Sequence, residues 1–309
     1  MLASLLVSSQ GIEVQPVFFS TPFFSPEKAL ESAEHINLPL KIIDITERHF
    51  ELLKNPRHGF GGNMNPCIDC HALMFRIAGE MLENENADFI ISGEVLGQRP
   101  MSQNRGSLYV VEKESTMKGL VLRPLSAKLL PVTIPESEGW IDRERLMALS
   151  GRSRKSQMAM ADSFNITKYP APAGGCLLTD IIFSIRLKDL LDNDPILNKS
   201  RLELLKTGRH FRVSPRTKII AGRNEKENDL ITELSGPDDI LLHTIDIPGP
   251  VVIISGETDR ESETIASLIT ASYSDAGVNE IEIALKSKKD EKTFQVKGRK
   301  KEFFRKYMI

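Results

Sequence analysis

Cys67 and Cys70 stand at C-x2-C spacing in Asn65-Pro66-Cys67-Ile68-Asp69-Cys70-His71, and they are two of only three cysteines. The third, Cys176, closes the glycine- and proline-rich run 170–175. Two thiols at this spacing can hold one soft metal site or form one redox pair, and a remote third completes a three-thiolate site or a sulfur relay. Four chemistries stay open from the residues alone. Three cysteines on an iron–sulfur cluster leave one iron free for sulfur or substrate. A relay carries a persulfide on one thiol and resolves it with another. A structural zinc uses Cys67, Cys70, Cys176 and His71. The last reading is packed thiols without a role. The sequence separation of 106 between Cys70 and Cys176 (176 − 70) counts against zinc, whose small modules gather ligands locally.

Other polar residues invite the same question. Glu94 and Asp69 have the chemistry of general acids or bases beside a sulfur site. Arg152, Arg154 and Lys155 concentrate positive charge suited to nucleotide phosphates or an RNA backbone. His58, in Arg57-His58-Gly59-Phe60-Gly61-Gly62, reads as a plain surface histidine on a loop.

The elements that position these residues alternate. Residues 13–20 and 40–45 read as strands, the second buried on both faces by its β-branched run. Ser25-Pro26-Glu27 is a helix start with Ser25 as cap. Residues 47–54 read as helix and 55–66 as loop. From Cys70, apolar residues Leu73, Met74, Ile77, Ala78, Met81 and Leu82 recur with helical period. A helix start there favours the thiolate through free N–H groups and the helix dipole. Residues 88–93 are a third strand. This rhythm predicts an α/β domain with a doubly wound parallel sheet, whose ligands bind beyond the carboxyl ends of the strands. Residues 142–149 and 156–164 read as further helices. Strands near 218–221, 239–243, 251–255 and 280–285, with a helix at 259–274, predict a smaller α+β domain. The boundary is expected near 195–205, giving domains 1–195 and 205–309.

Composition bounds the class. The chain has 309 residues and a net charge of −2, so no whole-molecule field dictates a polyanionic partner. Three cysteines are too few and odd in number for a secreted disulfide scaffold, and fit a reducing cytoplasm. No apolar run is long enough for a membrane span, and residues 1–10 lack the basic region of a signal peptide.

Asn65-Pro66-Cys67-x-x-Cys70 before a helix, then Ser92-Gly93 after a strand, Leu122-Arg123-Pro124-Leu125, and the loop to Cys176 together resemble the PP-loop ATP-pyrophosphatases that thiolate tRNA. These are the tRNA 2-thiouridylases and 4-thiouridine relatives, and the similarity covers roughly residues 1–185. The resemblance implies ATP with Mg2+ as cofactor, adenylation of a uridine oxygen, and displacement of AMP by sulfur. By position, Cys70 and Cys176 handle sulfur, Cys67 completes a [4Fe–4S] site, and Ser20 and Gly93 line the adenylate. The family's Ser-Gly-Gly-x-Asp-Ser loop, which cradles pyrophosphate at a helix N-terminus, is absent from residues 1–309. It is expected just before the uncapped helix that opens at Met1, so the chain is expected to be truncated there, with its first strand and its adenylating activity missing.

Gly222-Arg223-Asn224-Glu225-Lys226-Glu227-Asn228-Asp229, followed by Asp238-Asp239-Ile240 and Ile247-Pro248-Gly249-Pro250, resembles the NFACT RNA-binding domain over about residues 210–285. The resemblance implies RNA contact by Arg223, Asn224 and Asn228. Leu241 and Leu242 stand where that family carries aromatics, which removes stacking faces. From Lys286 to Ile309, ten Lys/Arg stand against three Asp/Glu, with Phe294, Phe303, Phe304 and Tyr307 interleaved. That segment fits a polyanion contact, or a solvated helix with its phenylalanines packed on the domain.

The expectation is therefore a cytoplasmic tRNA sulfurtransferase-like protein, inactive as it stands. Its partners are tRNA and a sulfur-donor protein or sulfide, with no membrane and no DNA. The alternative is a non-catalytic RNA-binding protein whose thiols hold a structural zinc or iron–sulfur site.

Overall fold

The computed structural model describes residues 1–169, 175–194, 198–288 and 290–309. It divides into two compact units, Met1–Thr179 and Asp180–Ile309.

The first unit opens with α1 (Leu2–Ser8), whose Ala3, Leu6 and Val7 are buried. Then come β1 (Val17–Ser20), α2 (Glu27–Glu34), β2 (Lys41–Asp44) and α3 (Thr46–Lys54). After a loop follow α4 (Cys67–Met81), β3 (Ile90–Ile91), α5 (Arg105–Glu114), β4 (Val121–Leu122), α6 (Ile134–Ser137) and α7 (Lys155–Ser163). β1 pairs with β2 in parallel, Val17 opposite Lys41 and Ser20 opposite Asp44. β3 pairs with β4 in parallel, Ile90 opposite Val121. The expected doubly wound sheet is thus present as two parallel pairs, and no hydrogen-bonded strand joins them among the described residues. Two cores accompany the pairs. Leu6, Val7, Val95, Leu122, Leu125 and Ile141 form one, while Ile45, Leu73 and Ile77 form the other.

Several boundaries differ for local reasons. β2 alternates between half-buried and exposed rather than being buried on both faces, and Ile42 points outward. Ser25 does not cap α2; Pro26 occupies that position and the Ser25 hydroxyl bonds Glu27 instead. The helix expected at 142–149 is only a short 3-10 turn at Arg143–Arg145. There Met147 and Leu149 donate backbone N–H groups to the carbonyls of Pro124 and Leu125, and extended pairing wins over helix. α5, β4 and α6 are among the elements that the sequence reading leaves unassigned; β4 has only two residues and α6 only four, too short for a period to register.

The second unit is more regular. It comprises α8 (Ile181–Asn193), α9 (Lys199–Leu205), β5 (Arg209–Ser214), β6 (Thr217–Ala221), α10 (Glu225–Leu234), β7 (Ile240–Thr244) and β8 (Val252–Gly256). α11 (Arg260–Ser272), β9 (Glu280–Lys286), β10 (Glu291–Lys297) and a 3-10 segment at Lys301–Tyr307 complete it. The six strands form one antiparallel sheet in the order β10-β9-β7-β8-β6-β5. Side chains alternate across a strand, so neighbouring residues face opposite sides. Ile219, Val252 and Ile254 pack against Ile265, Ala266 and Ile269 of α11. Ile220 and Ile253 face the other way, against Leu204 of α9 and Ile231 of α10. The sheet is covered on both faces, which is why every residue of β6 is buried. α8 belongs here too: Asp189 pairs with Arg212 of β5 at 2.6 Å and Lys218 of β6 at 2.9 Å. Of the linker expected at 195–205, residues 195–197 lie outside the described residues, and α9 is packed structure.

Candidate functional site

In the first unit the chemistry gathers at the carboxyl ends of the short parallel strands. α4 begins at Cys67, three residues before the start expected from periodicity, because Pro66 fits just ahead of a first helical turn. Cys67 and Cys70 therefore occupy one turn, and the Cys70 N–H already donates to the Pro66 carbonyl at 2.8 Å. The loop before it is tied to this turn: Asn65 donates from Nδ2 to Cys67 Sγ at 3.2 Å. Asn63 donates from Nδ2 to the Thr179 carbonyl at 2.8 Å, and Thr179 in turn bonds the Cys176 carbonyl through both its N–H and its hydroxyl. The Leu177 N–H donates to the Phe23 carbonyl at 3.0 Å. These bonds bring the Cys176 turn to the C-x2-C turn across more than a hundred residues of sequence.

All three cysteines are free and partly buried. Burial raises the Cys70 thiol pKa well above its ordinary value, and the neighbouring Cys176, Cys67 and Asp69 raise it further. Burial also raises Cys176, with Cys67 adding to the rise, against the lowering influence of the Leu178 backbone and Arg99. Burial and these neighbours therefore work against the thiolate that the helix start favours. A cationic centre among the thiols would reverse this, because metal binding expels the thiol protons. The three thiols fit a thiolate-bound group in donor type and number and by their mutual influence. Among the described residues, no three His, Cys, Asp or Glu side chains are grouped tightly enough to hold a single metal ion.

Around the thiols lie two carboxylate–histidine pairs. Asp69 sits 2.8 Å from Nδ1 of His58 and also accepts the His58 N–H at 2.9 Å. His58 is thus a partner of the C-x2-C segment, not the plain surface histidine its loop suggested. His71 Nδ1 lies 2.8 Å from Glu94 Oε1, and Arg123 Nε donates to Glu94 Oε2 at 2.9 Å. Arg123 reaches Glu112 through Nη1 at 3.3 Å, and its buried Nη2 has no hydrogen-bond partner among the described residues. Burial pushes the Glu94 pKa upward, but the His71 bond and charge, with Arg123, outweigh it and hold the carboxyl below its usual range. His71 is marked in the sequence beside the C-x2-C pair and Arg123 in the Leu122–Leu125 motif, but that they pair on Glu94, and Arg123 also on Glu112, carries no local signal.

Ser20 ends β1 and Gly93 follows β3, so each expected adenylate-lining residue lies at a strand's carboxyl end. A methyl group at Gly93 would meet nothing within 4 Å. Arg152 and Lys155 are exposed, and Arg154 lies over the Tyr169 ring at 5.8 Å. None of the three makes an ion pair among the described residues. Residues 170–174 of the expected loop before Cys176 lie outside the described residues. Sequence reading also passed over His49, which is fully buried against Phe23 and Phe24, with neither ring nitrogen partnered. Burial lowers its pKa to about 4.

In the second unit, the residues expected to contact RNA divide. Asn224 caps α10, accepting the Glu227 N–H at 3.1 Å. Asn228 is a brace: its Oδ1 accepts the Val251 N–H at 2.9 Å and its Nδ2 donates to the Gly249 carbonyl at 3.2 Å. Arg223 is exposed and paired with Glu227 one turn on. Local backbone demand thus occupies both amides that the motif offered as base readers. The tail is a strand and a 3-10 segment rather than a helix. Phe304 is fully buried, 6.4 Å from Phe211, whereas Phe303 is 41% exposed.

Comparison with known proteins follows the same division. Residues 1–128 match the family described as thiamine biosynthesis protein (ThiI), a PP-loop thiolation family. Residues 208–308 match the NFACT protein RNA binding domain. Both agree with the architecture the motifs implied. The Rqc2 homolog RqcH of Bacillus subtilis (strain 168) is 45% identical over 60 residues, 19% of this chain and 10% of that protein. The chain therefore spans about a tenth of the length of that relative. A solved structure, the C-terminal part of the fibronectin/fibrinogen-binding protein from Streptococcus suis, aligns with 78% of this chain and 99% of its own. Its TM-score is 0.30 at 13% identity, too low to bear on the fold. No helix among the described residues is long and apolar enough to cross a membrane.

Proposed function

We propose that this chain, joining a PP-loop thiolation segment to an NFACT RNA-binding domain, supplies the sulfur-handling and RNA-holding parts of a tRNA uridine sulfurtransferase. The observation that carries the reading is the meeting of Cys67, Cys70 and Cys176 at the strand ends, held by the Asn65, Asn63 and Thr179 bonds. Three thiols on a [4Fe–4S] cluster would leave one iron open to sulfur or substrate. The protein's own part is to gather the thiols, withhold water from Cys70, and keep Glu94 charged beside His71. Asp69 and His58 supply a proton-handling pair beside Cys70. ATP and Mg2+ would serve adenylation through a Ser-Gly-Gly-x-Asp-Ser loop, which residues 1–309 do not contain. We place the protein in the cytoplasm, with tRNA and a sulfur donor as partners.

Anaerobic incubation with iron and sulfide tests this. The expected result is a broad visible absorption that each of Cys67→Ser, Cys70→Ser and Cys176→Ser abolishes. Stoichiometric zinc in place of iron would sink the cluster. Residues 1–309 are expected to release no pyrophosphate from ATP with tRNA present, and release would overturn the need for the loop. The match of residues 208–308 to the NFACT RNA-binding domain also suits a second reading, a non-catalytic RNA-binding protein whose thiols hold a structural zinc or iron–sulfur site. Bound zinc in place of iron would select it.

A further inference from the structure

The carboxyl-terminal 3-10 segment carries an arrangement that its burial pattern alone does not explain. Phe304 anchors it in the core, 6.4 Å from Phe211 and 6.0 Å from Tyr273. On that anchor stands Phe303, its ring 5.3 Å from Phe304 and nearly perpendicular at 87°. The buried ring thus fixes the attitude of the exposed one. An exposed aromatic ring held in a set orientation is a ready stacking surface.

Cations surround that face. Lys306 Nζ lies 5.3 Å from the Phe303 ring centre and 4.6 Å from that of Tyr307, and the Arg299 guanidinium is 5.9 Å from Phe303. Lys301 sits over Tyr273 at 5.3 Å. Among the described residues none of Arg299, Lys300, Lys301, Arg305 and Lys306 makes an ion pair, whereas Arg201, Arg212, Lys218, Arg223 and Lys292 of the same unit do. Glu302 is the only carboxylate in residues 297–309. Five positive charges without ion pairs in a short segment make a positive surface suited to an anionic partner.

The two properties together define the partner. Unpaired cations call for phosphates, and an exposed ring among them calls for a planar π face of low polarity. A duplex offers phosphates but hides its bases; a single strand offers both. We propose that this segment binds single-stranded RNA, stacking one unpaired base on Phe303 while Arg299, Lys306 and their neighbours hold the flanking phosphates. It supplies the stacking that Leu241 and Leu242 do not, from a different part of the domain. The inference rests on the reading that this domain contacts RNA, and it names where and in what form.

Fluorescence anisotropy on the full chain tests it, with a labelled oligouridylate and a blunt RNA duplex of equal length. Phe303→Leu keeps apolar bulk and removes the π face. It is expected to weaken oligouridylate binding roughly tenfold, the loss of one stacked base, with duplex binding unchanged. The double variant Arg299→Gln/Lys306→Gln is expected to reduce the salt slope of single-strand binding by about 0.7 for each lost phosphate contact. Unchanged oligouridylate affinity in Phe303→Leu, with the parent still binding RNA, overturns the platform and leaves the RNA-binding reading standing. A parent that prefers the duplex also overturns it. A parent that binds neither RNA at low salt overturns both.

Discussion

The two units solve opposite problems. In the second, one antiparallel sheet is covered on both faces, and fourteen buried residues form a single main core. In the first, two short parallel pairs are surrounded by loops, and Glu94, Arg123, His49, Ser102 and Gln103 are buried, as Lys218, Asp239 and His210 are in the second. The difference lies in the sheets, not in how much polarity is buried. The second unit has one continuous antiparallel ladder covered on both faces. The first has two short parallel pairs, with the buried Glu94–Arg123 pair bonded to His71 beside the partly buried Cys70.

That contrast is open to attack at matched sites. Glu94→Ala is expected to cost about 3–5 kcal/mol, because it leaves Arg123 buried with only the 3.3 Å contact to Glu112. Phe304→Ala is expected to cost a similar amount, about 3–5 kcal/mol, through a cavity beside Phe211 and Tyr273. Segment-resolved hydrogen exchange reads both. Protection should fall within residues 1–179 for the first variant and within 180–309 for the second. Loss across both segments in either variant would break the division into units.

Acid sharpens the comparison. His49 has an unfolded pKa of 6.5 and a folded value near 4, so the fold prefers the neutral ring. Its contribution is fully present above pH 6.5 and is lost as pH falls toward 4, a drop on the order of 3 kcal/mol. His49→Phe should remove that acid-induced loss of stability from the first unit, measured by urea unfolding at several pH values. Persisting sensitivity would place its source elsewhere. His210 in the second unit is lowered for the same first reason, burial, but it keeps one bond, from Nε2 to the Thr207 carbonyl at 2.8 Å.

Smaller effects separate bracing from binding. Asn228→Ala should cost about 1–3 kcal/mol, since the Val251 N–H and the Gly249 carbonyl lose their partner. Asn224→Ala should cost about 1 kcal/mol as a lost helix cap. Thermal unfolding reports both, and RNA affinity measured on the still-folded variants should stay near the parent's. A large affinity loss without loss of stability would return these amides to base recognition.

Much of the second unit was legible because β6 and β8 are short β-branched runs and the helix at 259–274 has an apolar stripe. The observed β6, β7, β8, β9 and α11 fall within two residues of their expected places. The first unit was less so. β3 and β4 have two residues each, too short for any period to register. α5 was missed because it begins at Asn104 without a proline or an acidic first turn to announce it.

What the sequence determined by itself was the cast and the local geometry. C-x2-C after Asn-Pro, a helix behind it, a glycine after a strand and a basic, aromatic tail are all short-range facts, set by backbone preference and periodicity. Only the tertiary structure decided which of these residues act together. It brought Cys176 to Cys67 and Cys70, set His71 and Arg123 on Glu94, turned Asn224 and Asn228 into braces, and buried Phe304 while leaving Phe303 exposed. The reason is physical: burial, charge pairing and thiol pKa depend on what lies within a few ångströms, and those neighbours come from distant parts of the chain.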